Sequence, residues 1–239
     1  MKIPNREINI FSMSALDLFA SALGAFIFLS VISLPFFPNT GKSEVTIPDL
    51  DLVIVLDVSA SMEEEISQLK REIADLADVL NRLAPSVGIG VVTYGDRLWA
   101  EPISQHPITD TTEMAGLKEY IDAIEPNMGV GGGSNPDVPE MIAAALDQAV
   151  AMNWREQSRV RYIVAITDAP AYPEKISVAL QSAKDFSAVE EHYISTVMVR
   201  NEDAKKFLNA LAEAGQGEFV NSIDGQSLLA SILLAILQD

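Results

Sequence analysis

The strongest constraint on the fold is a short apolar run that ends in a polar loop and leads directly into an amphipathic segment. Residues 49–62 read D-L-D-L-V-I-V-L-D-V-S-A-S-M, and residues 52–56 are typical of a strand buried on both faces of a parallel sheet. Residues 62–83 carry apolar side chains at helical spacing, with Ser61 placed to cap the helix. The segment therefore predicts an α/β sheet with Asp57 at the carboxyl end of a central strand.

The loop after this strand carries oxygen-bearing side chains where open α/β sheets bind ligands, outside the carboxyl ends of the strands. Asp57, Ser59 and Ser61 offer one carboxylate and two hydroxyls from a single turn. Hard cations such as Mg²⁺ prefer oxygen ligands, few formal charges and several retained waters. The loop is therefore a candidate site for a divalent cation.

The pattern D-x-S-x-S after a buried strand resembles the metal-ion-dependent adhesion site of the von Willebrand factor A domain. This resemblance spans residues 48–239 and implies a Rossmann-like α/β fold. The fold has a mostly parallel central sheet with one antiparallel edge strand, and helices on both faces. The resemblance also implies a bound Mg²⁺, or Mn²⁺ or Ca²⁺, whose coordination is completed by water or by an acidic group of a partner protein.

Two further loops match the same family in order. Residues 129–140 read G-V-G-G-G-S-N-P-D-V-P-E, and the family places either a Thr or an Asp before x-P-E on the metal. Ser134 fits the first form and Asp137 the second, so the choice between them stays open. The third loop follows a predicted strand at residues 160–167 and begins with Asp168, which resembles the family's last metal-binding carboxylate.

Two further elements are predicted within the domain, an edge strand and a C-terminal helix. A turn at Gly95 and Asp96, followed by Pro102, favours an edge strand over residues 98–103. Residues 228–237 read L-L-A-S-I-L-L-A-I-L and are apolar on nearly all sides. Ten residues are too few to cross a bilayer, so we expect a buried helix or a dimer surface.

The first part of the chain predicts a membrane anchor. Residues 10–37 carry no charge apart from Asp17, and an apolar run of about 20 residues spans a bilayer as a helix. A cleaved signal peptide is the alternative, but the run is too long and lacks an A-x-A site. We therefore expect a cytoplasmic tail (1–9), one transmembrane helix (10–37) and a linker (38–47). Lys2 and Arg6 then orient the chain in a bacterial inner membrane, with its domain on the extracytoplasmic side.

Asp17 is the second residue that calls for a function, because a carboxylate inside a spanning helix is costly unless it faces protein or water. Small residues, Ser14, Ser21 and Gly24, share its helical face and permit close helix approach. Residues 7–30 resemble the start of the ExbD, TolR and MotB ion-driven motor subunits. That resemblance implies that Asp17 takes up and releases the driving ion. It also implies a dimer inside a multi-helix channel subunit of the MotA, ExbB or TolQ type.

Charge and composition restrict the remaining choices. The first 41 residues are net neutral, so the formal charge of −18 belongs to the rest of the chain. Such acidity argues against nucleic acid or anionic lipid headgroups as the domain's main partner. No catalytic arrangement is evident, so an enzyme is not predicted. Two hypotheses remain. Asp17 and its small-residue face favour a proton- or sodium-driven motor subunit, and the alternative is a passively tethered adhesion or scaffolding protein that binds a ligand through its metal site.

Overall fold

A computed structural model of the 239-residue chain describes residues 48–96, 102–126, 140–222 and 227–237. The predicted tail, transmembrane helix and linker, with Asp17, lie outside these ranges, as do Ser134 and Asp137. In the parts of the chain that are described, no helix is both long enough and apolar enough to cross a membrane.

The described residues form one six-stranded sheet with α-helices packed on both of its faces. The strands are β1 (Leu50–Asp57), β2 (Val87–Tyr94), β3 (Ile103–Asp110), β4 (Val160–Thr167), β5 (His192–Val199) and β6 (Gln216–Ser222). The helices are α1 (Glu63–Leu83), α2 (Ala115–Ala123), α3 (Ile142–Val150), α4 (Ile176–Ser187), α5 (Lys205–Ala214) and α6 (Leu228–Leu237).

The strand order is β3-β2-β1-β4-β5-β6, and only the β2–β3 pair among these strands is antiparallel. The predicted α/β fold, a mostly parallel sheet with one antiparallel edge strand, is therefore confirmed. The chain runs outward from β1 to β2 and returns to the other side of β1 as β4. The crevice at the carboxyl ends of β1 and β4 is thus the switch point where such sheets bind ligands.

Strand β1 lies at the centre of two separate hydrophobic cores because its side chains alternate between the faces of the sheet. Leu52, Ile54 and Leu56 belong to the core beneath α1 and α6, whereas Val53 and Val55 belong to the core beneath α3, α4 and α5. All eight residues of the strand are buried. This double burial explains why the strand is a continuous apolar run in the sequence.

Helix α1 confirms the predicted amphipathic pattern but not the predicted cap. Its buried residues recur at helical spacing: Ile66, Leu69, Ile73, Leu76 and Leu80. Burial of one such side chain contributes roughly 1.5–3 kcal/mol. The α-helix begins at Glu63 after a 3₁₀ turn, Ala60–Met62, and has no side-chain cap. The prediction that Ser61 caps this helix was wrong, because its hydroxyl lies against that of Ser59 instead.

The edge strand lies further along the chain than predicted. We expected residues 98–103, of which 98–101 lie outside the described residues; β3 runs over Ile103–Asp110 and pairs with β2 from Tyr94–Ile103 to Gly88–Asp110. None of the eight residues of this strand is buried, so its sequence lacks a strong apolar signal. Pro107 lies at the register shift between Ile89 and Val91, where a missing backbone donor is tolerated.

Helix α6 is a buried helix of the domain, the first of the two predicted alternatives. Leu228, Ile232 and Ile236 are buried, and the helix packs against α1 and β6. Side chains of α1 cap its first turn: Leu228 N donates to Gln68 Oε1 at 2.8 Å, and Leu229 N donates to Glu72 Oε2 at 2.9 Å. A carboxylate is favourable at this end of a helix because the unpaired N–H groups carry partial positive charge.

A buried ion-pair network fastens the opposite end of the sheet. Arg155 donates from its backbone N and its Nε to the two carboxylate oxygens of Asp51, at 2.9 and 2.6 Å. Its Nη1 donates to Asp110 Oδ2 at 2.7 Å and to Ser86 Oγ at 3.0 Å. A Cβ at Gly88 would lie 2.5 Å from Asp51 Oδ1, so the network requires glycine at that position. The network therefore joins β1, β3 and the segment before β4.

Candidate metal centre

Asp57 ends β1 at the switch point, and its carboxyl group is fully buried. Ser59 N donates to Asp57 Oδ1 at 2.8 Å, and Thr167 Oγ1, from the last residue of β4, donates to Asp57 Oδ2 at 2.7 Å. Each oxygen thus has one donor, and both donors come from the strand ends that form the crevice. The carboxyl group is therefore fixed in position without any neighbouring cationic side chain bonded to it in the described structure.

The hydroxyls of Ser59 and Ser61 lie next to each other in the turn after β1. Their Oγ atoms are 3.0 Å apart, because the 3₁₀ turn brings residues two apart together. Two oxygens bound at about 2.1 Å to one octahedral Mg²⁺ are separated by about 3 Å. The spacing therefore fits adjacent ligands of such an ion, as the sequence predicted for this loop.

Asp168 follows β4 directly and is half-buried. Its negative charge contributes to the raised pKa of the Asp57 carboxyl, which places the two acids in one electrostatic cluster. The structure therefore brings together four of the six predicted metal ligands: Asp57, Ser59, Ser61 and Asp168. The other two, Ser134 and Asp137, lie outside the described residues, and the choice between them stays open.

Glu140 is an acid of this cluster to which the sequence analysis gave no role. It is 8% exposed, and burial raises its pKa to about 8, with further contributions from the charges of Asp57, Asp96 and Asp168. The motif D-V-P-E contains this residue, but the amino-acid sequence gives no sign that its carboxyl group is buried. Only the packing of the loop against β2 and β4 reveals it.

The electrostatics of the crevice favour a cation. Burial raises the pKa of Asp57 to about 6, against the lowering effect of its hydrogen bonds. Arg200 lies at the rim, where its Nη2 donates to Glu65 Oε2 at 2.7 Å and to the Ser61 carbonyl at 2.5 Å. This arginine therefore pairs with Glu65 and hydrogen-bonds the backbone of the serine turn. The negative charges of Asp57, Glu140 and Asp168 are thus available to a bound cation.

The donor set fits a hard divalent ion. Within the described ranges, no three His, Cys, Asp or Glu side chains are grouped to hold a metal. Carboxylate is instead combined with hydroxyl oxygen at Ser59 and Ser61. Such a set suits Mg²⁺, Mn²⁺ or Ca²⁺, which accept neutral oxygen ligands and water beside a few carboxylates.

We expect the metal-free domain to lose stability between about pH 4 and pH 8 because of these acids. In the unfolded chain, Asp57 and Glu140 ionise near their ordinary pKa values of 3.8 and 4.5, but in the folded chain the pKa values rise to about 6 and 8. Below the ordinary values both states are protonated and the folded state keeps its full stability. Above them the unfolded chain binds fewer protons, so stability falls until the folded pKa is passed.

Thermal melts of the full-length chain in EDTA, compared with those of Asp57→Asn, isolate this effect from the other acids. The difference in melting temperature should favour the variant increasingly as the pH rises. Added Mg²⁺ should stabilise the wild type more near about pH 8 than near about pH 5, because protons compete with the ion. A difference that does not change with pH would contradict the prediction.

Comparison with known proteins agrees with this geometry. The sequence matches the von Willebrand factor type A domain over residues 51–233, and the chain belongs to this family. A comparison with curated protein sequences found no match.

Solved structures with the same fold come from several kinds of protein. BatB from Bacteroides thetaiotaomicron is 17% identical, with a TM-score of 0.55 over 78% of this chain and 97% of its own. The pilus adhesin SpaC from Lactobacillus rhamnosus GG is 10% identical, with a TM-score of 0.57 over 79% of this chain and 29% of the adhesin. Proximal thread matrix protein 1 from the mussel byssus, solved with a zinc-occupied MIDAS motif, is 18% identical, with a TM-score of 0.55 over 79% of this chain and 45% of its own. At these identities the likeness shows the fold alone.

Proposed function

We propose that this domain binds an acidic group of a partner protein through a divalent cation at the Asp57 loop. The main support is the arrangement of its oxygens: a buried carboxyl group fixed by Thr167, beside two hydroxyls 3.0 Å apart. The bound ion supplies a positive charge that accepts a carboxylate oxygen as a ligand. The proposed ligands come from three loops: Asp57, Ser59, Ser61, Asp168, and either Ser134 or Asp137.

The acidity of the chain makes such binding depend strictly on the ion. The crevice contains Asp57, Glu140 and Asp168, and the chain as a whole has a formal charge of −18. Without a cation, a partner's carboxylate would meet only like charge, which disfavours association. With an ion held by few protein ligands, the same carboxylate can replace a bound water. We therefore expect an acidic protein ligand and not a nucleic acid.

The experiment uses Mn²⁺, whose bound waters relax solvent protons. A short blocked peptide with one Asp is titrated into the Mn²⁺-loaded full-length chain, and the same peptide with Asn is the control. The Asp peptide should lower the water relaxation rate as it displaces a bound water, and the Asn peptide should not. Equal effects of the two peptides would show that no carboxylate binds the ion.

We further propose that the domain is tethered to the extracytoplasmic face of a bacterial inner membrane by a helix over residues 10–37. The support is the uncharged run on either side of Asp17 and the two basic residues before it, Lys2 and Arg6. A tethered domain with a cation-dependent site is suited to adhesion or scaffolding, in which the anchor is passive. No catalytic step is needed for this function.

A second function, the motor subunit, is favoured by one observation, the carboxylate of Asp17 within that apolar run. A passive anchor gains nothing from an acid there, whereas an ion-driven subunit needs one. In this hypothesis two copies of the chain lie inside a channel subunit of the MotA, ExbB or TolQ type. Asp17 alternates between neutral and charged forms as protons, or sodium ions, pass.

The variant Asp17→Asn separates the two functions because it keeps the size and hydrogen bonding of the side chain but cannot carry an ion. If the chain is a motor subunit, the complex should assemble normally, pass no ions and lose its cellular activity. Ion flux in membrane vesicles and the phenotype of the strain are the measurements, with Ser12→Ala as a control outside the acid's face. Full activity of an assembled Asp17→Asn complex would eliminate the motor hypothesis.

A further inference from the structure

Arg200 lies directly after β5, at the same end of the sheet as the proposed metal site. Its backbone has a φ of 50°, in the left-handed region that residues other than glycine enter at a cost. Two hydrogen bonds hold this turn: Asn201 N donates to the Val199 carbonyl at 2.5 Å, and Asp203 N donates to the Asn201 side chain at 3.0 Å. Backbone strain of this kind persists where the surrounding structure maintains it, and it is concentrated at functional sites.

The guanidinium of Arg200 joins the serine turn, residues 59–61, to helix α1. Its Nη2 donates to the Ser61 carbonyl at 2.5 Å and to Glu65 Oε2 at 2.7 Å. Ser61 is exposed, so packing does little to hold it in place. Its hydroxyl lies 3.0 Å from that of Ser59, the spacing that fits adjacent ligands of one ion. The bond from Arg200 therefore fixes the backbone of a residue whose side chain is a proposed metal ligand.

Two explanations account for this arginine. In the first, it serves only as the ionic partner of Glu65, whose side chain is 10% exposed. In the second, it also positions the serine turn for the ion. The first explanation requires neither the hydrogen bond to the Ser61 carbonyl nor the strained backbone, because a long side chain reaches a carboxylate from an ordinary conformation. The second accounts for both, since one nitrogen then fixes the turn and the start of α1 relative to the end of β5.

We propose that Arg200 is a positioning residue of the divalent-cation site, which keeps the Ser61 hydroxyl beside that of Ser59 by holding the Ser61 carbonyl. The inference rests on the proposed function, because the ion is the one held at the Asp57 loop. It makes the turn after β5 a fourth part of a site whose proposed ligands come from three other loops. Groups that orient the ligands of a metal commonly change its affinity by about 10–100-fold.

The sign of the effect separates positioning from charge. A guanidinium beside a cation site repels the ion, and its removal also leaves the negative charge of Glu65 unpaired, so charge alone predicts tighter metal binding without it. Loss of a positioning contact predicts the opposite. We expect Arg200→Ala to bind Mg²⁺ and Mn²⁺ about 10–100-fold more weakly than the wild type. Arg200→Lys keeps the charge but not the planar donor geometry, and it should recover only part of the affinity.

The test combines calorimetry on the full-length chains with water proton relaxation by bound Mn²⁺. If the Ser61 hydroxyl leaves the ion, a water molecule takes its place, so the relaxation rate per bound Mn²⁺ should rise in Arg200→Ala. An arginine that only stabilises the fold would leave this rate unchanged. Lys205→Ala is the matched control, because it removes a cation from the start of α5 whose ion pair with Glu202 is exposed. It should change neither the affinity nor the relaxation rate.

The outcomes distinguish this inference from the function on which it rests. A wild-type chain that binds neither ion would overturn the proposed function and this inference together. A folded Arg200→Ala variant with wild-type or higher metal affinity would overturn the inference alone, as would an unchanged relaxation rate per bound Mn²⁺. If Arg200→Ala does not fold, Arg200→Lys takes its place in both measurements. Its affinity should be reduced, and an affinity equal to that of the wild type would again overturn the inference.

Discussion

Replacing Asp57 and Asp168 together by alanine is expected to abolish Mg²⁺ and Mn²⁺ binding while the domain stays folded. Asp57 is the one fully buried carboxyl group at this end of the described sheet, and Asp168 is the acid at the neighbouring strand end. Their loss leaves only hydroxyls at the proposed ligand positions of the described loops. Hydroxyls alone hold a divalent ion weakly, so we expect the affinity to fall by at least about 100-fold.

Calorimetry on the purified chain measures this loss, and circular dichroism reports the fold. The matched control is Asp75→Ala with Asp78→Ala, which removes two exposed aspartates from α1. Because Ser59 and Thr167 donate to Asp57, an alanine there leaves two donors without their acceptor. Asp57→Asn keeps an acceptor in place and should also lose binding. Equal metal affinity in the wild type and the double variant would remove the site assignment.

Arg155→Ala should cost about 3–5 kcal/mol in the free energy of unfolding, the largest stability effect that we expect from a single substitution in the described residues. Removal of the guanidinium leaves the Asp51 carboxylate, which is 0% exposed, without its ionic partner. It also removes one donor each from Asp110 Oδ2 and Ser86 Oγ. Arg155→Lys should recover only part of the loss because an ammonium group cannot reproduce the paired donors.

Urea denaturation of the full-length chains at constant salt measures this effect. Arg159→Ala is the matched control, since it removes an arginine four residues away whose contact with Glu191 is long, 3.9 Å, and exposed. Pairs of that kind contribute at most about 1 kcal/mol. A loss for Arg155→Ala no greater than that of the control would show that the network adds no net stability.

The parts of the fold that follow local rules could be predicted from the sequence. The apolar run of β1 and the helical spacing of apolar residues in α1 are each visible within one short segment, so the pattern of apolar residues was enough to predict both elements. Residues 160–167 were predicted as a strand and form β4 with the same bounds. The edge strand β3 was misplaced because an exposed edge needs few apolar residues, and Pro107 interrupts the pattern that remains.

The site was predictable to the extent that it depends on short motifs. Asp57, Ser59 and Ser61 follow one another in a single turn, and Asp168 follows a recognisable strand. Glu140 was missed because its burial depends on the loop after β4 and the end of β2, which are distant in the sequence. The partnership of Arg155 with Asp51, 104 residues apart, was missed for the same reason.

The bulge at Pro107 has a consequence for aggregation. An open sheet edge is a template on which a second chain can add a strand and start aggregation. Strand β3 is such an edge, but Pro107 offers no N–H, and the register shift opposite Ile89 and Val91 breaks the regular ladder. Copies of the chain at high concentration are therefore protected, on this side of the sheet, from pairing edge to edge into a continuous sheet.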